Sequence, residues 1–159
     1  MHNRHFEMVL VVMLTGLLFA GCQNDEREYR LAVRQLNGQI AQIAPTLPMQ
    51  LNEYTQLTSM SYDDERRQIR YGYTINETMS PILNAEGREE IYSGILHSLH
   101  AQLPQSREFT TTMQRFGIIY RYTYTSVSGE MLFSFTITPE EVLTGVSTGA
   151  VELPTTRIL

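Results

Sequence analysis

The sequence of 159 residues has a single cysteine, Cys22, and contains neither lysine nor tryptophan. With no second cysteine, a domain built from the residues after Cys22 has no internal disulfide and must stand on its hydrophobic core. A phosphate-binding loop of the Gly-x-x-x-x-Gly-Lys type is excluded outright, and no dinucleotide fingerprint appears. The twelve basic residues are all arginine, scattered, and outnumbered by 17 acids for a net charge of −5. No basic footprint for nucleic acid results. No Gly-x-Ser-x-Gly elbow occurs. Only His97 and His100 lie beyond Cys22, so a Ser-His-acid arrangement has few ways to assemble. No catalytic residue and no cofactor are therefore expected, and the chain is expected not to be an enzyme. Long apolar runs are also missing. Residues 8–14 are continuously apolar and residues 17–20 resume after Thr15-Gly16. Together they fall short of the roughly 20 residues a helix needs to cross a bilayer of about 30 Å.

What the amino-terminal segment does contain is a polar start with Arg4, an apolar middle and a small-residue end, the pattern of an export signal. Its last residues, Leu18-Phe19-Ala20-Gly21-Cys22, resemble the lipobox of bacterial lipoproteins. That resemblance covers residues 1–22, with Phe19 standing where leucine is usual. It implies cleavage before Cys22 and lipid on the sulfur and amino group of that residue. Two or more acyl chains anchor a protein stably where one does not. The other reading of Cys22 is a free thiol or one paired with another chain. Gln23 follows the cysteine, where the enterobacterial sorting pattern places an aspartate in inner-membrane lipoproteins. The resemblance thus implies an outer-membrane, periplasm-facing protein whose membrane partner is reached through Cys22.

The expected division is a signal peptide over 1–21, a lipidated tether over 22–28, one periplasmic domain over 29–141 and a flexible tail over 142–159. Residues 142–159 are rich in Gly, Thr and Ser, with room for a short strand after Ala150. Tyr29, Val33, Leu36, Ile40 and Ile43 recur at steps of four and three, one stripe of a helix over about 27–44. Residues 49–62 read as a strand with broken alternation, reconciled by a bulge near Gln56. Asp63-Asp64-Glu65-Arg66 reads as a charged turn. Ile69, Tyr71, Tyr73 and Ile75 alternate with polar residues as a half-buried strand. Ile91, Tyr92, Ile95, Leu96, Leu99 and Leu103 mark a second helix over 86–103, which Pro104 is expected to close. Residues 105–114 read as a polar connector. Two further strands follow, Phe116 to Tyr124 and Met131 to Ile137 by their alternating apolar faces, joined by a hairpin at Ser126-Val127-Ser128-Gly129. The expected fold is α+β: a four-stranded, mainly antiparallel sheet with two helices on one face, in the order α-β-β-α-β-β.

Three groups invite a site. His97 and His100 stand three apart on a helix, a spacing that can present two imidazoles to a metal. Both fall outside the apolar stripe, so they read as solvent-facing and no metal site is expected. Asp63, Asp64 and Glu65 lack the alternating ligands and glycine of a calcium loop. The tyrosines 71, 73, 120, 122 and 124 read as a core ladder, or as a recognition patch wherever the helices leave them uncovered. The strand over 49–62 is expected at a sheet edge, where unpaired backbone groups can take up an extended segment. Tyr54, Thr55 and Thr58 mark that candidate partner surface.

The end of the chain, Ile119-Tyr120-Arg121-Tyr122, then Gly129-Glu130, then Phe135-Thr136-Ile137-Thr138-Pro139-Glu140-Glu141, resembles that of small exported bacterial α/β proteins. The order of elements is similar to that of the α/β pilotins, lipoproteins that escort secretin subunits to the outer membrane. This resemblance implies a lipid-anchored binding or assembly module with an envelope protein as partner. An immunity or exclusion lipoprotein that blocks a toxin or a conjugation system is the alternative.

Overall fold

The computed structural model describes residues 25–76, 78 and 83–154. Helix α1 spans Asp25–Ile43 and is followed by a 3-10 turn at Ala44–Thr46. Strands β1 (Met49–Gln50), β2 (Thr55–Asp63) and β3 (Gln68–Ile75) come next, then helices α2 (Ala85–Ala101) and α3 (Leu103–Phe116). Strands β4 (Ile119–Ser126) and β5 (Met131–Ile137) lead into a short helix α4, Pro139–Thr144.

The fold is α+β, but the described residues form five strands and four helices rather than four and two. The extra strand arises because residues 49–62 do not run straight. Asn52 turns the chain back: its Oδ1 accepts from the N–H groups of Tyr54 and Thr55, both at 2.9 Å. The stretch therefore folds into a hairpin of β1 on β2, with Met49 opposite Leu57 and Gln50 opposite Gln56. The bulge is present, as a register shift between Leu57 and Ser59. It brings Leu57 and Met60 onto the same buried face.

The expected polar connector is helix α3. Pro104 does not end helical structure here; it sits in the first turn of a new helix, where its missing N–H has no intrahelical acceptor to lose. Leu103, Ser106, Phe109, Thr110, Met113 and Phe116 recur at helical spacing and are all buried. Thr110 satisfies its hydroxyl by donating to Ser106 O at 3.0 Å. Phe116 accordingly ends α3 instead of opening β4. Gly117 then turns the chain at φ 65, the left-handed conformation that favours glycine.

The sheet order is β1-β2-β3-β4-β5. Three neighbouring pairs are antiparallel; the central pair, β3 with β4, is parallel and runs from Gln68 opposite Ile119 to Ile75 opposite Ser126. Parallel neighbours need a crossover of a dozen or more residues, which α2 and α3 supply. Ile69, Tyr71, Tyr73 and Ile75 of β3, Tyr120, Tyr122 and Tyr124 of β4, and Phe133, Phe135 and Ile137 of β5 form one face. They join the buried residues of the helices in a single core. The other face carries Arg70, Gly72, Thr74, Arg121, Thr123 and Thr125, none of them buried. The segment after Glu141 is not all tail, since Val142 is 1% exposed. Ser134 and Glu152 exchange backbone hydrogen bonds of 2.9 and 2.7 Å, a single bridge that covers part of the β5 edge.

Candidate functional site

Cys22 and the segment read as an export signal lie outside the described residues. The surface they lead into is described, because α1 starts at Asp25. At that end of the molecule α1, α3 and the β2–β3 turn meet. Tyr29 donates to Asp64 Oδ1 at 2.5 Å and accepts from Tyr62, whose hydroxyl is 2.7 Å away. The ring of Phe116 meets Tyr29 edge-on at 5.5 Å. The Arg67 guanidinium stacks 4.8 Å above the Tyr29 ring and donates to Phe116 O at 2.7 Å. Arg115 of α3 pairs with both Asp25 and Glu28. Burial, and then the bond to Asp64, push the Tyr29 phenol well above its ordinary range. This cluster fixes α1 against the turn.

The acidic turn is used structurally. Asp63 accepts from the Arg66 N–H at 3.0 Å and pairs with the Arg66 and Arg70 side chains, each at 3.3 Å. The Arg66 N–H first, and those arginines after it, hold Asp63 below the usual carboxylate range. Among the described residues no group of three His, Cys, Asp or Glu side chains could hold a metal ion.

The two histidines part company. His97 is exposed, as expected. His100 is not solvent-facing: its Nδ1 lies 2.8 Å from Val142 O, so the ring donates to α4. The helix face outside the apolar stripe of α2 was free to be covered by an element that sequence periodicity did not reveal.

The tyrosine ladder is core throughout. Tyr71 stacks on Tyr122 at 4.9 Å and Tyr73 on Tyr124 at 4.7 Å, with planes 7° and 11° apart. Tyr124 continues onto Phe133 at 4.5 Å. None of these tyrosines is more than 8% exposed, which leaves no recognition patch on that face. Behind the ladder sits a carboxylate that the sequence did not single out. Glu141, 2% exposed, accepts from Tyr92 Oη at 2.5 Å and from the N–H groups of Thr148 and Gly149 at 2.7 and 2.9 Å. Its other oxygen completes a capping box with Thr138. The sequence signal was Thr138-x-x-Glu141 before Val142. Burial pushes this carboxyl upward, but Tyr92 and the N–H groups of Thr138, Thr148 and Gly149 outweigh burial and bring it down to about 2. With every oxygen occupied, Glu141 is a fastening and not a base.

The residues proposed for a partner surface are split by the hairpin. Thr55 is 4% exposed, and its carbonyl accepts from Leu51 N at 3.0 Å, so β1 already occupies that edge. Thr58 lies at the bulge and donates to Gly72 O at 3.0 Å. Tyr54 is half-buried beside the Asn52 turn. A proline at Thr55 would therefore break the turn, not merely an edge donor. The stretch of β2 that pairs with β3 alone is residues 59–63. Backbone groups alternate in direction along a strand, so those of Met60 and Tyr62, whose side chains face the core like that of Thr55, point away from β3. Here the free edge runs beneath α1, tied to it by Tyr29 and Tyr62.

No family model matches the chain, and no curated protein matches it. Three solved structures share its fold. A Pseudomonas aeruginosa protein inferred to be secreted is 12% identical, with a TM-score of 0.55 over 77% of this chain and 99% of its own. The pilotin EpsS of the Vibrio vulnificus type 2 secretion system is 12% identical, with a TM-score of 0.52 over 75% of this chain and 97% of its own. The type II secretion system pilotin AspS of Vibrio cholerae is 14% identical, with a TM-score of 0.51 over 72% and 95%. The architecture of this chain is thus the α+β fold of these pilotins, taken nearly whole.

Proposed function

We propose that the chain is a lipid-anchored, periplasm-facing binding module that works as a pilotin-like escort for a secretin subunit of the outer membrane. The observation that carries this is the fold shared with two pilotins, matched over 95–97% of each, behind a segment that resembles a lipobox ending in Cys22. The core is consistent with a binding role: its buried carboxylate, Glu141, is engaged in holding the fold together. The partner surface is the free edge of β2 over residues 59–63 with the neighbouring Tyr54 turn. An extended segment added there would gain main-chain hydrogen bonds from the edge and specificity from alternate side chains.

Two measurements test this. Radiolabelled palmitate should enter the wild-type chain and not Cys22→Ser, and only the wild type should fractionate with the outer membrane. In the native host, Cys22→Ser should leave the secretin subunit out of the outer membrane, with few assembled multimers. Normal secretin assembly in that strain would sink the escort role. Absence of palmitate on the wild type would sink the anchor. For the surface, a photo-crosslinking side chain at Ser61 should capture the secretin subunit, while one at Val127 on the β4–β5 hairpin should not.

A further inference from the structure

The helix that begins three residues after Cys22 has two faces of opposite character. Ala32, Leu36 and Ile40 of α1 are buried. At 3.6 residues per turn the face turned directly away from them carries Arg27, Leu31 and Arg34, with Arg30 at its border. All three arginines are exposed, and Leu31, 40% exposed, stands between them. The acids of the first turn do not neutralise this face. Asp25 and Glu28 are engaged by Arg115, and Glu26 by Arg30 at 2.7 Å. Among the described residues Arg27 and Arg34 have no ion pair. The stripe is thus locally positive on a chain whose net charge is −5.

We infer that this outward face of α1 lies on the anionic phospholipid headgroups of the membrane that holds the anchor. The inference rests on the lipidated reading of Cys22. Three residues of extended chain reach at most about 11 Å, so a lipid on Cys22 keeps the start of α1 at the bilayer surface. Arginines attract anionic lipid within a Debye length of the surface. Their aliphatic stems and Leu31 provide the apolar contact that an interfacial helix makes with the acyl boundary. The one acid that adjoins the face, Glu26, is paired with Arg30 and leaves Arg27 and Arg34 to meet the headgroups.

The test uses the lipidated full chain, purified from envelopes and reconstituted into vesicles. One set contains phosphatidylcholine alone, the other phosphatidylcholine and phosphatidylglycerol in equal parts. Phenylglyoxal modifies accessible arginines, and mass spectrometry reads each site, with Arg88 at the start of α2 as internal reference. Modification of Arg27 and Arg34 should slow by about threefold or more in the phosphatidylglycerol vesicles relative to the neutral ones, and molar salt should abolish the difference. Equal rates in both vesicles, with the chain floating and palmitate-labelled, would overturn this inference and leave the anchor intact. Protection only on addition of an acidic partner protein would overturn it too, and assign the stripe to that partner. A chain that carries no lipid and does not float overturns the anchor, and this inference with it. Arg27→Glu with Arg34→Glu should keep the label and the melting temperature while Arg30 loses its protection.

Discussion

The hydroxyl of Tyr92 in α2 donates to Glu141 at 2.5 Å across 49 positions of sequence, and both residues are almost fully buried. This contact fastens the start of α4 to the helix layer, and the N–H groups of Thr148 and Gly149 close around the same oxygen.

Glu141→Gln should destabilise the domain by roughly 2–4 kcal/mol, because charge-assisted bonds are lost and a buried site is left mismatched. The carboxyl is depressed from an ordinary 4.5 to about 2 in the folded protein. A depressed carboxyl stabilises the fold above its unfolded value and stops doing so as pH falls through the folded value. Wild-type stability should therefore drop by roughly 3 kcal/mol between pH 5 and pH 2 on account of this group. Denaturant titrations at several pH values check both statements; a Gln variant as stable as wild type at pH 7 would refute them.

Tyr122 is 0% exposed, and its hydroxyl has no partner among the described residues. Tyr122→Phe keeps the stacking on Tyr71 and removes a desolvated polar group. It should raise stability by about 1 kcal/mol. A loss of stability would show that the hydroxyl is satisfied in solution.

Phe133 and Phe135 are 0% exposed at the end of the aromatic stack. Truncation of either to alanine should cost roughly 3–5 kcal/mol. That is a large part of the 5–15 kcal/mol that usually separates folded from unfolded chains. The yield of folded protein, and the denaturation midpoint, report the effect.

His97→Ala should change stability little, since the side chain is exposed. His100→Ala removes the donor to Val142 O and should cost about 1 kcal/mol. Equal effects of the two substitutions would contradict the placement of α4.

Asn52→Ala takes the acceptor from two backbone N–H groups and should cost roughly 1–2 kcal/mol. It should also release β1, which amide exchange at Leu51 and Met49 would reveal.

The sequence made the strongest patterns legible. Alternation located β3 and β5 and the tyrosine face of β4, and four-three spacing located α1 and α2 within one or two residues. Three features escaped it for physical reasons. Helix α3 carries three consecutive threonines and five charged or amide residues, a third of its buried stripe is polar, and its buried Ser106 and Thr110 pay no penalty only because their hydroxyls bond to the preceding turn. The reversal at Asn52 depends on one side-chain oxygen, and nothing in an apolar-polar pattern encodes it. The parallel pairing of β3 with β4 is decided by where the intervening helices carry the chain, not by either strand. Of the candidate surface, the edge location was legible but its occupied half was not, because β1 is only two residues long.

The parallel seam has a kinetic consequence. β2 with β3, and β4 with β5, can each zip up from a turn of a few residues. The ladder between β3 and β4 brings Gln68 beside Ile119, and it forms only after the α2–α3 segment has found its place. Joining of non-local strands is slow, and here it closes the middle of the sheet rather than its rim. Until then Tyr71 and Tyr73 on one hairpin, and Tyr122 and Tyr124 on the other, present aromatic strand edges to any second copy nearby. Aggregation during folding should therefore begin at the centre of the finished sheet, and a low local concentration of newly made chains is what guards against it.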